Sequence, residues 1–337
     1  MKSVLQARKP VAEAWFVTTN AVLAKVDPSH GPTQAAAIVN RVYRETPPVS
    51  RRDATEFASF CAAWIDAHTQ PINPSDMLTF EEWLEGTQYT LAEKAKITAA
   101  VDEQFPKRHD PKLRKRKAFV KDEEYAKINH ARLICAGEDL FKGIFGPYWK
   151  VVENQIFSLP HFAKHIPRVD LADALVGLAA KVMPILIEGD DCIYFDGTLY
   201  LVGDFESYES LLVVALTRAI ERRALRRIHL HTLSEDLALL ADEVYGWDGR
   251  PTTVHTNQVQ AKGPARRFSG DNQTSLGNGL ANFLIWLFIQ SNNLPITPDT
   301  FLRYGFRIKL STHDSGSSAS FCGVICDQYE RQLVKNP

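Results

Sequence analysis

Ile185-Leu-Ile-Glu-Gly-Asp-Asp-Cys-Ile-Tyr-Phe-Asp-Gly-Thr-Leu-Tyr-Leu-Val-Gly-Asp-Phe-Glu-Ser-Tyr208 is the stretch whose reading decides the fold. Two apolar runs, Ile185–Ile187 and Cys192–Phe195, flank Gly189-Asp190-Asp191, and a third, Thr198–Val202, ends on Gly203-Asp204. Short runs rich in β-branched and aromatic residues, bounded by Gly and Asp, predict strands. Asp196-Gly197 predicts a two-residue hairpin turn between the second run and the third. Folding about that turn sets Gly189 opposite Asp204 and Asp190 opposite Gly203, and facing residues on antiparallel strands lie about 4.5–5.5 Å apart. Asp190, Asp191 and Asp204 are thereby expected at one end of a small sheet. Like charges that close are unfavourable unless a cation neutralises them. Two divalent metals about 3.5–4 Å apart would do so, and would clamp the attacking and leaving oxygens of a phosphoryl transfer. Gly-Asp-Asp alone is a common turn tripeptide. Asp204, placed by the turn and not by the tripeptide, tilts the reading towards chemistry.

The 337 residues suffice for one large or two ordinary domains. With 45% hydrophobic and 23% charged residues the chain can bury a core, and a net charge of −1 does not announce a nucleic-acid binder. Five cysteines, scattered and without a Cys-x-x-Cys pair, predict neither a disulfide framework nor zinc. A reducing compartment is expected. The chain reads without a signal peptide, and its longest strongly apolar run, Phe283–Ile289, is far short of the roughly 20 residues of a membrane span.

Residues 1 to about 116 read as helical and irregular, with helix-type spacing over Thr33–Tyr43, Ala54–His68 and Leu91–Phe105 and an N-cap pattern at Thr79-Phe80-Glu81-Glu82. Cations then crowd into Lys112–Lys121. Ala118-Phe119-Val120 and Leu133-Ile134 suit a strand pair with the cations pointing outward, able to hold polyphosphate or RNA backbone, or simply a solvated face. Phe145-Gly-Pro-Tyr148 reads as a turn, and Trp149–Phe157 and Leu171–Val182 as helices. Ser210–Arg227 has helical period and carries Arg218, Arg222, Arg223, Arg226 and Arg227 on an expected outer face. His229-x-His231 could be a metal pair but is explained more simply by alternation on a strand. After a Ser269-Gly270 turn, a helix is expected on which Thr274, Asn278 and Asn282, four residues apart, share one face. A polar stripe on an otherwise apolar helix is unfavourable to bury without partners. Gly305–Leu310 and Ala319–Cys326 read as strands.

Together these motifs resemble viral RNA-dependent RNA polymerases of positive-strand type. Lys117–Ala136 is similar to motif F, Gly203-Asp-Phe-Glu-Ser-Tyr-Glu209 to motif A, Ser269–Asn282 to motif B, Gly305–Leu310 to motif D and Ala319–Asp327 to motif E. Thr79–Gly86 resembles the approach to the fingers in nodavirus-like and tombusvirus-like enzymes. These enzymes usually carry the Gly-Asp-Asp hairpin, motif C, after motif B, where this chain has only Asn292–Tyr304. Gly189-Asp190-Asp191 instead precedes motif A. The order resembles the permuted palm of permutotetraviruses and birnaviruses.

The resemblance implies an α+β right-hand polymerase: fingers over residues 1–116 and 117–184, a palm with an antiparallel RRM-like sheet over 185–327, and a stub from 328 to 337 where a thumb is minimal, missing or supplied by a second chain. It implies two Mg²⁺ ions, or Mn²⁺, at Asp190, Asp191 and Asp204 with neighbouring Phe205. Lys121, Lys127 and Arg132 would neutralise the triphosphate. Glu209, five residues after Asp204, would act with Ser269, Gly270, Thr274 and Asn278 at the nucleotide, where the ribose 2′-hydroxyl distinguishes RNA precursors. Lys309 is the candidate general acid, and Phe321, Cys322 and Gly323 the primer grip. The implied partners are RNA template, primer and NTPs, in the cytoplasm of an infected host cell. A reverse transcriptase would prefer a bulky apolar residue at Glu209. A non-catalytic palm or a split-replicase subunit is the remaining alternative.

Overall fold

The computed structural model describes residues 12–16, 22–103, 106–125, 130–327 and 329–335; Lys127 lies outside them. In chain order the strands are β1 (Ala12–Phe16), β2 (Val22–Val26), β3 (Lys115–Val120), β4 (Glu124–Tyr125), β5 (Leu133–Ala136), β6 (Ile185–Glu188) and β7 (Asp191–Phe195). The later ones are β8 (Tyr200–Phe205), β9 (Thr252–His255), β10 (Gln260–Gly263), β11 (Ile308–His313), β12 (Ser320–Phe321), β13 (Val324–Asp327) and β14 (Gln332–Lys335). They form sheets ordered β1-β2-β4, β10-β9-β3-β5, β11-β8-β7-β6 and β12-β13-β14, all antiparallel except where β3 runs parallel to β9. Helices intervene, giving an α+β arrangement. No helix among the described residues is long and apolar enough to cross a membrane.

The β11-β8-β7-β6 sheet organises the rest because both of its faces are covered. Ile185, Ile187, Cys192, Leu201 and Phe205 join the large core under the Thr274–Ser291 helix, while Leu186, Ile193 and Tyr200 pack on the other side with Leu175, Leu178 and Phe321. Alternate residues thus bury on opposite faces, which is why the Ile185–Ile187 run is apolar without interruption. The helix approaches closely over Gly203, where an added Cβ would stand 2.7 Å from Cys192 Sγ and 3.2 Å from Trp286 Cζ2.

The register differs from the expected one. Asp196 does not begin a two-residue turn: its side chain accepts from the amides of Thr198 and Leu199, and Asp196 N–H donates to the Leu199 carbonyl, closing a four-residue loop. Pairing therefore shifts by two, so that Asp191 and not Gly189 faces Asp204. A shift of two leaves every side chain on its own face. The hairpin before it closes on Gly189-Asp190, with Glu188 opposite Asp191 and Gly189 at φ +57°.

Other expectations are corrected by packing. The N-terminal region is not wholly helical, since β1 and β2 pair as a hairpin joined by β4. Phe145-Gly-Pro-Tyr148 is no turn but the middle of a helix over Asp139–Phe157. Proline costs a helix about 3 kcal/mol, but buried Phe145 and Trp149 hold this one, and Gly146 leaves a slot where a Cβ would lie 2.1 Å from Trp83 Cζ2. In the basic run Arg116 points inward, 1% exposed, donating to Asp271 at 2.9 Å and to the Val244 carbonyl at 2.6 Å. The arginines after Ser210 are largely engaged: Arg222 and Arg226 pair with Asp242 and Arg223 with Asp66. His229 follows a helix rather than lying on a strand. It is buried between Tyr148 O and Thr232 Oγ1, and burial lowers its pKa to about 4, so it is no surface metal pair with His231. Ala319–Cys326 is a hairpin, turning at Cys322-Gly323 with both residues at positive φ, +52° and +73°.

Candidate active site

The β6–β7 turn, the neighbouring ends of β8 and β11 and one loop-to-helix junction converge at one end of the central sheet. Asp190 sits at the β6–β7 turn and Asp191 opens β7; Asp204 lies near the end of β8, opposite Asp191 on one flank and Lys309 on the other. Facing residues share a sheet face, so Asp191, Asp204 and Lys309 form a row across three neighbouring strands. Asp190 and Asp204 wall a cleft of about 700 Å³ together with Arg132, Glu209, Ser269 and Lys309. Phe205 borders it as well, but its side chain is buried against Tyr208 and Phe306, so only its backbone could serve an ion. A second cleft, of about 500 Å³, is lined by Asp190, Asp191, Thr274, Asn278 and Cys322. Asp190 is the wall between the two.

Electrostatics follow from this crowding. Water reaches Asp190 within the cleft, yet the walls partly desolvate it, and with the charges of Glu209 and Asp204 they raise its pKa above the usual carboxylate range. Burial first, then the charges of Asp190 and Asp204, push Asp191 up to about 6. The Cys322 thiol, carried in by its turn, hydrogen-bonds the Asp191 carboxylate and opposes that rise. Among the described residues no three His, Cys, Asp or Glu side chains stand close enough to coordinate an ion as placed. The fit to a dication rests on donor chemistry instead: hard carboxylate oxygens, gathered at a cost in mutual repulsion that a bound cation would relieve.

The loop before the helix is stitched in place. Cys135 N–H donates to Ser269 O at 2.7 Å and Ser269 Oγ to Leu133 O at 2.6 Å, tying the loop to β5. Gly270, at φ +125°, passes so near that a Cβ would lie 3.0 Å from Cys135 O. Thr274 Oγ1 donates to the carbonyls of Phe268 and Asp271 and accepts from Gly270 N–H, so its hydroxyl shapes the loop. Arg267 is buried against Glu221 and donates to Gln273 O at 2.6 Å; burial lowers its pKa to about 10.

Of the remaining expected residues, Lys121 pairs with Glu123 at 3.0 Å and does not line either cleft. Phe321 is core, and Gly323 completes the turn that presents Cys322. Residues outside the expected set also line the first cleft: Arg41 and Arg44, His130, and Glu206, which reaches Arg44 at 3.2 Å and Lys309 at 3.6 Å. Arg41 and Arg44 lie in a stretch without a motif, and only Glu206, inside Gly203–Glu209, was within reach of pattern reading.

Neither a known protein family nor a curated relative matches this chain. Among solved structures, the X-ray structure of the birnavirus VP1–VP3 complex contains a chain that superposes with a TM-score of 0.55, covering 87% of this chain and 48% of its own, at 13% identity. The RNA polymerase VP1 from infectious pancreatic necrosis virus gives a TM-score of 0.54 with the same coverage, at 14% identity. The chain spans about half the length of these structures. What it shares with them is the fold.

Proposed function

We propose that this chain is the fingers and palm of a viral RNA-dependent RNA polymerase with a permuted palm, adding nucleotides to an RNA 3′-hydroxyl. The observation that carries the reading is the meeting of Asp190 and Asp204 in one cleft by way of consecutive strands, in a fold shared with birnavirus polymerases. Asp190, Asp191 and Asp204, with the Phe205 backbone, would hold two Mg²⁺ or Mn²⁺ ions. Divalent ions there would supply activation of the attacking hydroxyl and charge neutralisation at the leaving pyrophosphate.

The chain's own groups divide the remaining work between the two clefts. Arg132, with Arg41 and Arg44, forms the cationic wall suited to a triphosphate. Lys309, across from Asp204, is positioned to give a proton to the departing pyrophosphate. Glu209 and Ser269 border the same cleft and would meet the ribose, while Asn278 and Cys322 border the second, suited to the RNA 3′ end. Thumb functions would come from a further segment or a second chain.

Primer extension on an RNA template with Mg²⁺ and each nucleotide type tests this. Ribonucleotide incorporation is expected, favoured over deoxynucleotides by roughly ten- to a hundredfold, the effect of leaving a buried polar group unmet. Asp204→Asn should abolish it with the melting temperature preserved. Substantial synthesis by Asp204→Asn would remove the assignment, and equal use of both sugars would remove the role of Glu209.

A further inference from the structure

We propose that Asn282 is a positioning residue that fixes the Gly189–Asp191 turn, and through it the Asp190 and Asp191 carboxylates; this rests on the polymerase reading. Asn282 is 0% exposed on the Thr274–Ser291 helix. Its Nδ2 donates to the carbonyl oxygens of Gly189, at 3.1 Å, and of Asp191, at 3.2 Å. Those two carbonyls flank Asp190, so a single amide brackets the residue that separates the clefts. Packing does not do this work at Gly189: a Cβ built there would meet no atom within 4 Å. Both acceptors are carbonyls, so only a donor serves.

The neighbouring helix turns give the clamp its setting. Four residues earlier, Asn278 borders the second cleft, 5% exposed, with its Oδ1 unpartnered among the described residues. Four residues later, Trp286 packs on Tyr194 of β7, ring centroids 5.6 Å apart. One helix face therefore runs from the cleft at Asn278, through the clamp at Asn282, to an anchor on the strand that Asp191 opens. Asn282 itself lines neither cleft. Its contribution is orientation of the carboxylates, an effect that for groups supporting metal ligands amounts to about 10–100-fold in affinity or activity.

The test is Mn²⁺ titration of the full chain, read by electron paramagnetic resonance of the free ion, beside steady-state nucleotide addition. Asn282→Asp keeps the shape and removes the donor; Asn282→Ala removes the donor without adding volume or needing a partner, and carries the comparison should the aspartate fail to fold. Mn²⁺ binding is expected to weaken about 10–100-fold and kcat to fall comparably, with the KM for ribonucleotide within about twofold of the unmutated value. A folded variant that binds Mn²⁺ like the unmutated chain overturns the proposal, as does a rise in KM with Mn²⁺ binding intact, which would make Asn282 a substrate contact. If Asp204→Asn, with Asn282 in place, binds Mn²⁺ as tightly as the unmutated chain, the reading of the carboxylates falls first.

Discussion

Lys309 stands directly across the sheet from Asp204 and is held off by a second carboxylate, its Nζ 3.6 Å from Glu206 Oε1. The ammonium is mostly exposed, and such a pair contributes little to stability, about 0–1 kcal/mol. On the proposed reading, the arrangement would place a proton donor beside the carboxylates without burying it.

Lys309→Met should therefore leave the melting temperature nearly unchanged and lower kcat by roughly 10²–10⁴-fold, the usual contribution of a general acid. Single-turnover nucleotide addition by the two proteins, with melting curves beside it, checks this, and equal rates would remove Lys309 from the chemistry.

Asp191 sets a stability signature. Burial, with the charges of Asp190 and Asp204, raises its pKa to about 6, so the native state binds its proton more tightly than the unfolded chain does. The sign follows from linkage: the contribution is fully present below the unfolded value of about 4 and is lost as pH rises through about 6. Asp191→Asn should be more stable than the unmutated protein above pH 6, on the order of 1 kcal/mol after solvent screening, with the difference closing below about pH 4. Denaturant melts at several pH values would measure it, and a difference independent of pH would contradict it.

Gly203 has no room for a methyl group. A Cβ there would lie 2.7 Å from Cys192 Sγ and 2.8 Å from Ile308 Cδ1, on neighbouring strands. Gly203→Ala should destabilise by about 1–3 kcal/mol through overpacking. Adding Cys192→Ala should recover part of that loss, because the two sites share one space. Strict additivity in the double-mutant cycle would refute the clash.

How much of this was legible depends on whether local chemistry or distant packing decides the position. The strands over 185–205 and the helix from Thr274 are punctuated by Gly and Asp at their ends, and such boundaries can be read. The register could not, because Asp196 closes its loop through its own carboxylate, a choice that Asp-Gly does not announce. The slip was by two residues, so the carboxylates still gathered. Pro147 misled for the opposite reason: its local signal is strong, and buried neighbours override it. Arg116 and the arginines around Asp242 look like an outward basic face until distant acids claim them. The Asn282 clamp was half visible, as a polar stripe seeking partners that only the fold could name.

The β6–β7–β8 meander also has a kinetic consequence. All three carboxylates ride on consecutive strands joined by short loops, whereas β11, with Lys309, returns from far along the chain. Closing short loops loses little chain entropy, so local pairings form early and distant ones late. The repulsion among the carboxylates is then met on the way to the folding transition state, before β11 pairs with β8. Neutralising Asp191 should accelerate refolding, whereas Lys309→Met, which loses only an exposed pair, should leave both limbs nearly unchanged, and stopped-flow chevrons of the two variants would separate these effects. In such a chain, carboxylates crowded at one end of a sheet also set the height of the barrier to folding.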